Sequence, residues 1–205
     1  DYDNDGDLDI LIGNNGQANR IYKNNGGGAF ALDWSSTETD ATYGIAWGDY
    51  DNDGDLDMLA GNAPAAYNRV YTNTTAAANT APTTPTLTAE PDAPPGNIPF
   101  QWSASTDTQT TNSSLISYDL RVGTSAGGCQ IFCGTVTSSS AAAGPGNVSA
   151  GATHTLSLAT GTYYWNTRAV DTAWRRGSWS TSDSFVIDGS PPTTSTISDG
   201  TGADI

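Results

Sequence analysis

Nine residues at the head of the chain, Asp1-Tyr-Asp-Asn-Asp-Gly-Asp-Leu-Asp9, recur unchanged as Asp49 to Asp57, an offset of 48. Self-similarity of this kind restricts the fold more than any other property of the sequence, because a fixed period means one supersecondary unit stacked on the next. The match runs on through Leu11/Leu59, Gly13/Gly61 and Asn14/Asn62, and after a one-residue gap resumes with Asn19-Arg-Ile-Tyr22 against Asn68-Arg-Val-Tyr71. A period near 48 that holds four short apolar runs is the size of a four-stranded propeller blade. Strands are predicted at Gly44 to Gly48, Leu56 to Gly61 and Asn68 to Asn73, with the acidic segment as the loop between the first two. The first unit adds a Gly-rich turn at Asn24 to Gly28 and a strand at Ala29 to Trp34. The second unit lacks that ending. Tyr71 leads into Ala, Thr, Asn and Pro, the composition of an extended linker over residues 76–85.

Each acidic loop sets five carboxylates within nine residues, at Asp1, Asp3, Asp5, Asp7 and Asp9 and again at Asp49, Asp51, Asp53, Asp55 and Asp57. Left alone, such a run repels itself and favours an expanded coil. A divalent cation reverses the sign of that interaction. Ca2+ takes ~6–8 oxygens at about 2.3–2.6 Å, and side chains at alternate positions of a tight turn converge on one point. Gly6 supplies the backbone freedom for the turn, the carbonyl of the following residue is a further ligand candidate, and Asp9 would close the shell. An EF-hand loop needs an acid at its twelfth position, where this chain has Ile12 and Ala60, so both loops lead into strands. Zinc is disfavoured because neither loop has Cys or His, and Mg2+ prefers fewer protein ligands. The plain alternative is a solvated acidic turn, against which stand two identical copies on one scaffold.

The Asp-x-Asp-x-Asp-Gly-x-x-Asp loop, the preceding Ala46-Trp-Gly-Asp-Tyr50, and Tyr22-Lys-Asn-Asn-Gly-Gly-Gly-Ala-Phe30 resemble FG-GAP/VCBS-type repeats, the blades shared with integrin α-chain propellers, over about residues 1–75. The resemblance implies a structural Ca2+ in the loop joining the first two strands of a blade. Asp1, Asp3, Asp5 and Asp9 would be side-chain ligands of one ion and Asp49, Asp51, Asp53 and Asp57 of the other, with Asp7 and Asp55 contributing main-chain oxygens. Two blades do not close a propeller, so the expected fold here is a partial one. At dissociation constants near 10⁻⁴ M, millimolar Ca2+ contributes roughly 1.4 kcal/mol per site, and occupancy outside cells is nearly constant.

Charge supports this division. The chain of 205 residues carries 22 acids against 7 bases, a net −15, and ten of those acids lie in the two loops. Two bound Ca2+ would leave −11. The shortage of cations excludes a duplex nucleic-acid binder, which needs clustered Lys and Arg. No window of ~18 apolar residues is present, so no helical membrane insertion is expected. Residue 1 falls inside a motif, and the chain reads as a segment of a longer protein.

Residues 86–188 follow another rhythm. Short alternating runs at Thr86 to Ala89, Phe100 to Ser103, Ile116 to Val122, Gln130 to Thr137, His154 to Leu158, Tyr163 to Val170 and Ser184 to Ile187 predict a seven-stranded β-sandwich. Phe100-Gln-Trp102-Ser, Tyr118-Asp-Leu-Arg-Val-Gly-Thr124, Tyr163-Tyr-Trp-Asn-Thr-Arg-Ala-Val-Asp171, and Trp179-Ser with Phe185 resemble bacterial fibronectin type III modules. By that resemblance Trp102 is the core Trp of the second strand, and Tyr163 is the candidate tyrosine-corner residue. Residues 189–205 read as a second linker or the opening of another module. The expected class is therefore all-β, a partial propeller followed by a fibronectin type III-like sandwich.

Two further features invite a functional reading. Trp174, Arg175, Arg176 and Trp179 cluster in the loop before the last strand, either as a contact for a sugar or an acidic partner or as an Arg–Trp stack covering the sheet edge. Cys129 and Cys133 suggest a local disulfide in an oxidising compartment, with free thiols as the alternative.

Catalysis is not expected. His154 is the sole His, in the polar strand Thr153-His-Thr-Leu and predicted on a solvated face, and Glu38 and Glu90 are the only Glu. No nucleophile elbow, phosphate loop or dinucleotide fingerprint occurs. The expected role is a non-catalytic, calcium-stabilised, extracellular module pair of bacterial type. It would be the structural, adhesive or ligand-presenting part of a secreted or cell-surface protein, with a protein or glycan ligand. The alternative is an accessory, carbohydrate-binding region of a secreted multidomain hydrolase.

Overall fold

In the computed structural model of the chain, residues 1–51, 53–74, 79–89, 95–133 and 145–189 are described. Twelve strands among them form four antiparallel sheets of three strands, and none of the sheets closes on itself.

The repeat folds into the same strand pairing twice. The first sheet holds β1 (Ile10–Ile12), β2 (Arg20–Asn24) and β3 (Phe30–Ser35) in sequence order; the second holds β4 (Thr42–Gly48), β5 (Asp57–Asn62) and β6 (Arg69–Tyr71). Register follows the internal alignment: Leu11 lies opposite Ile21 as Leu59 lies opposite Val70. The two units are joined by Thr42 N donating to Asn14 O at 3.0 Å and Gly16 N donating to Asp40 O at 3.1 Å. Ile21, Leu56, Met58 and Ala60 are buried in this half of the chain, while Ile10, Ile12, Leu32, Leu59 and Val70 stay exposed. A lone sheet has two faces, and here only one of them is covered.

The remaining strands are β7 (Leu87–Ala89), β8 (Gly96–Trp102), β9 (Ser117–Gly123), β10 (Thr153–Leu158), β11 (Gly161–Val170) and β12 (Asp183–Ile187). They make two sheets, ordered β7-β8-β10 and β9-β11-β12, facing each other across one core. Ile98, Phe100 and Trp102 point inward at period two from β8 and meet Tyr118, Leu120, Val122 and Trp165 from the opposite sheet. The Phe100 ring meets Trp165 edge-on at 5.0 Å and Phe185 at 5.8 Å. Each such aromatic contributes ~1.5–3 kcal/mol by burial. Trp102 is buried in that core, and Tyr163 Oη donates to Ala159 O at 3.2 Å, the backward bond a tyrosine corner makes.

Three details differ from expectation. Of the strand predicted at Gln130 to Thr137, residues 130–133 are described and carry one bridge, Val122 with Phe132, while 134–137 lie outside the described part. His154 does not sit on a solvated face: it lies opposite Phe100 on the side that Leu156 and Leu158 share, with its ring 4.9 Å from Phe132. The two flanking Thr residues take the outward positions, because the leucines set the phase of the alternation. Residues 79–86 carry no strand or helix and bond to the segment after β8, with Thr83 N donating to Thr106 O at 2.9 Å and Ser103 N to Thr86 O at 2.7 Å. Linker positions 76–78, Glu90 and positions 190–205 lie outside the described residues.

Candidate functional site in two acidic loops

The first loop leads into β1, and the second joins β4 to β5. Gly6 and Gly54 hold φ of +91° and +98°, in the left-handed region where a Cβ is strained, so a glycine at the sixth position lets each loop reverse. Asp7 N donates to Asp5 Oδ1 at 3.0 Å, and Asp55 N donates to Asp53 Oδ1 at 3.0 Å, a local turn repeated in both copies.

The ninth acid of each loop ties it shut. Asp9 accepts from Tyr2 N on Oδ2 and from Asn24 N on Oδ1, both at 2.8 Å. Asp57 does the same with Tyr50 N at 2.8 Å and Asn73 N at 2.7 Å. Each of these carboxylates thus holds the loop entry against the end of the second strand beyond it.

Three carboxylates converge in each copy. Asp1, Asp3 and Asp9 each offer one oxygen, all within 4.8 Å of one another, and so do Asp49, Asp51 and Asp57. The predicted side-chain ligands Asp5 and Asp53 are not among these trios. Asp5 takes Lys23, which also pairs with Asp3; its ammonium lies 3.0 Å from Asp5 Oδ2. Those two partners hold the Lys23 ammonium well above the ordinary lysine range, Asp3 most of all. Asp55 turns its Oδ1 to Asn4 Nδ2 at 2.6 Å, which binds loop to loop, and Asp7 lies beside Gly26. Burial is the main cause that raises the Asp9 and Asp55 carboxyls above the usual range. Asp3 Oδ1 is buried and accepts no hydrogen bond. An oxygen-only set of three converging carboxylates, in the first loop with a buried vacant oxygen, fits a hard cation such as Ca2+.

The remaining site candidates are engaged inside the molecule. Trp174 takes φ of +67° in a tight turn that Asp171 closes, with Arg175 N donating to Asp171 Oδ1 at 2.7 Å. The Arg175 guanidinium packs on Gly54 of the second loop. Arg176 Nε meets Asp119 Oδ2 at 3.0 Å, and Arg168 reaches the same oxygen at 2.9 Å. Trp179 is covered by the Arg121 guanidinium at 4.0 Å and that of Arg168 at 4.5 Å. The Arg–Trp stack therefore exists, but arginines from β9 and β11 supply it. Cys129 and Cys133 have Cα atoms 4.8 Å apart, within the ~4.4–6.8 Å that a disulfide spans.

Sequence reasoning missed Asp119, a fully buried carboxylate between two arginines, and Thr172, whose hydroxyl reaches Asp1. The only signal for the first was an acid amid the apolar run of β9; for the second there was none, since the partners are 171 positions apart.

Among the described residues no helix is long and apolar enough to cross a membrane. No curated protein matches the chain. Residues 1–60, which carry both acidic loops, match the family model of the FG-GAP-like repeat, a non-catalytic repeat type.

Proposed function

We propose that the chain is a non-catalytic, calcium-stabilised module pair of a secreted or cell-surface protein, of bacterial type, serving as its structural, adhesive or ligand-presenting part. In this reading residues 1–75 are two blades of a propeller, each holding one structural Ca2+. Residues 76–85 connect them to a fibronectin type III-like sandwich over 86–188, and 189–205 lead onward. The observation that carries the reading is the duplicated carboxylate trio, Asp1/Asp3/Asp9 and Asp49/Asp51/Asp57, whose ninth acid is held by the same pair of backbone hydrogen bonds in both copies. Support for the sandwich comes from two facing three-stranded sheets with a buried Trp102 and the Tyr163 bond to the backbone upstream. The apolar side chains left exposed on β1, β3, β5 and β6 suit burial against flanking blades. Calorimetric titration of the full chain with CaCl2 tests this: two ions taken up and a higher melting temperature support it, and no uptake with unchanged melting in EDTA rejects it.

One observation favours a second reading, the accessory carbohydrate-binding region of a hydrolase. A cavity of about 560 Å³ between the first two sheets is lined by Tyr2, Trp34, Trp47 and Tyr71 with Asp33 beside them. Aromatic faces with one carboxylate suit a sugar ring. A glycan array read with the wild-type chain and with Trp47→Ala tests this cavity: a signal that Trp47→Ala abolishes supports it, and no signal, or one that Trp47→Ala leaves unchanged, rejects it.

A further inference from the structure

The first acidic loop is seated on the other pair of sheets. Thr172 Oγ1 donates to Asp1 Oδ2 at 2.6 Å, and the hydroxyls of Thr172 and Thr110 are 2.8 Å apart. All three residues are buried. A carboxylate only accepts, so the single hydroxyl proton of Thr172 is spent on Asp1, and Thr110 must donate to Thr172. The result is a one-way relay from Thr110 through Thr172 to Asp1.

This relay decides which oxygen of Asp1 is left for a ligand. Oδ2 accepts from Thr172 and from Gly6 N at 3.0 Å, and Oδ1 accepts from Asp5 N at 3.1 Å. A carboxylate has about four lone-pair directions, two on each oxygen. Three are taken, and the fourth lies on Oδ1. Asp1 is thereby presented as a one-oxygen ligand in a fixed orientation. The fit is close elsewhere too: a Cβ on Gly6 would overlap the Gln109 carbonyl.

We propose that Thr172 is a positioning residue for the cation at the first loop, and that cation uptake there and seating of the loop on residues 105–110 and 171–175 are one linked equilibrium. The inference rests on the calcium reading above. Linkage is reciprocal, so whatever docking adds to cation affinity, the cation adds to docking. The second loop meets the sandwich through different groups, Asn79 Nδ2 on Gly54 O at 3.4 Å and the Arg175 guanidinium against Gly54, and neither is bonded to Asp1.

The test is a calorimetric Ca2+ titration of the full chain as wild type, Thr172→Val and Thr172→Ser, paired with hydrogen exchange. Wild type should take up two ions. Thr172→Val should weaken one site about tenfold and leave the other within about twofold, as expected for losing a hydrogen bond to a charged group. Thr172→Ser should restore the site, and Thr110→Val should weaken the same site by less. Ca2+ should slow exchange at 105–110 and 171–175 in wild type and not in Thr172→Val, although those segments supply no ligand; a merely structural threonine would not produce that difference. If wild type binds two ions and Thr172→Val binds both as tightly, or loses both equally, the linkage is overturned while the calcium reading stands. If wild type binds none, both fall.

Discussion

In the proposed reading the ninth acid of each loop has two separable duties, closing the loop and ligating a cation, and substitution at Asp57 and Asp51 separates them. Asp57 is 2% exposed, and its two oxygens accept from Tyr50 N and Asn73 N at 2.8 and 2.7 Å. Hydrogen bonds to a charged acceptor contribute roughly 1.5–3 kcal/mol each. Asp57→Ala strands both donors, so the loss should be about 3–6 kcal/mol with no cation present. Asp51 is exposed and accepts only a long bond from Asp53 N at 3.3 Å. Asp51→Ala should therefore cost about 0.5 kcal/mol or less in EDTA. At Ca2+ about 100 times the dissociation constant, binding adds about 2.7 kcal/mol per site, which Asp51→Ala forfeits. Guanidinium unfolding followed by Trp fluorescence, run in EDTA and in Ca2+, reads all four values. A loss below about 1 kcal/mol for Asp57→Ala in EDTA would refute the closing role assigned from its two bonds. An Asp51→Ala cost that is the same with and without Ca2+ would remove Asp51 from the ligand set.

Four other substitutions or treatments have defined outcomes. Gly54→Ala places a Cβ at φ +98° against the Arg175 guanidinium and should destabilise by ~1–3 kcal/mol, with Arg175→Ala relieving part of the loss in the double variant, measured by thermal melting. Asp119→Ala leaves Arg168 and Arg176 facing an emptied buried position and should cost ~3–5 kcal/mol in denaturant unfolding; a loss under ~1 kcal/mol would show that the pair is not held in the core. Burial pushes the Asp171 carboxyl up to about 6 from 3.8, so its folded-state value exceeds the unfolded one. The stability this group contributes is complete below about pH 3.8 and is lost as pH rises through about 6, and Asp171→Asn should remove a slope of about 3 kcal/mol across that window. Iodoacetamide without reductant should leave Cys129 and Cys133 unmodified; alkylation of both would contradict a bridge.

The regularities that recur at short range were legible in the residues. A nine-residue repeat carries its own turn glycine, its alternating acids and the apolar run behind it, so the loop and the strand that follows it could be read locally. The strands of the second half were readable for the same reason, because inward residues at period two mark a face without reference to any partner. Asp5 and Asp53 show where that reading thins. Their spacing marks them as side-chain ligands, yet neither is among the converging trios, and Lys23 pairs with Asp5 as it does with Asp3.

Spacing alone therefore determined that this chain is all-β, that its acids concentrate in two equivalent loops, and that those loops suit a hard cation. What the tertiary structure decided was partnership. It put Asp119 between Arg168 and Arg176, Trp179 under Arg121 and Arg168, His154 on the inward face, and Thr172 on Asp1. Those contacts join positions far apart along the chain, and no local pattern encodes them. They follow from which surfaces meet once the sheets have formed, because a buried charge or hydroxyl must find its partner wherever packing brings one within reach.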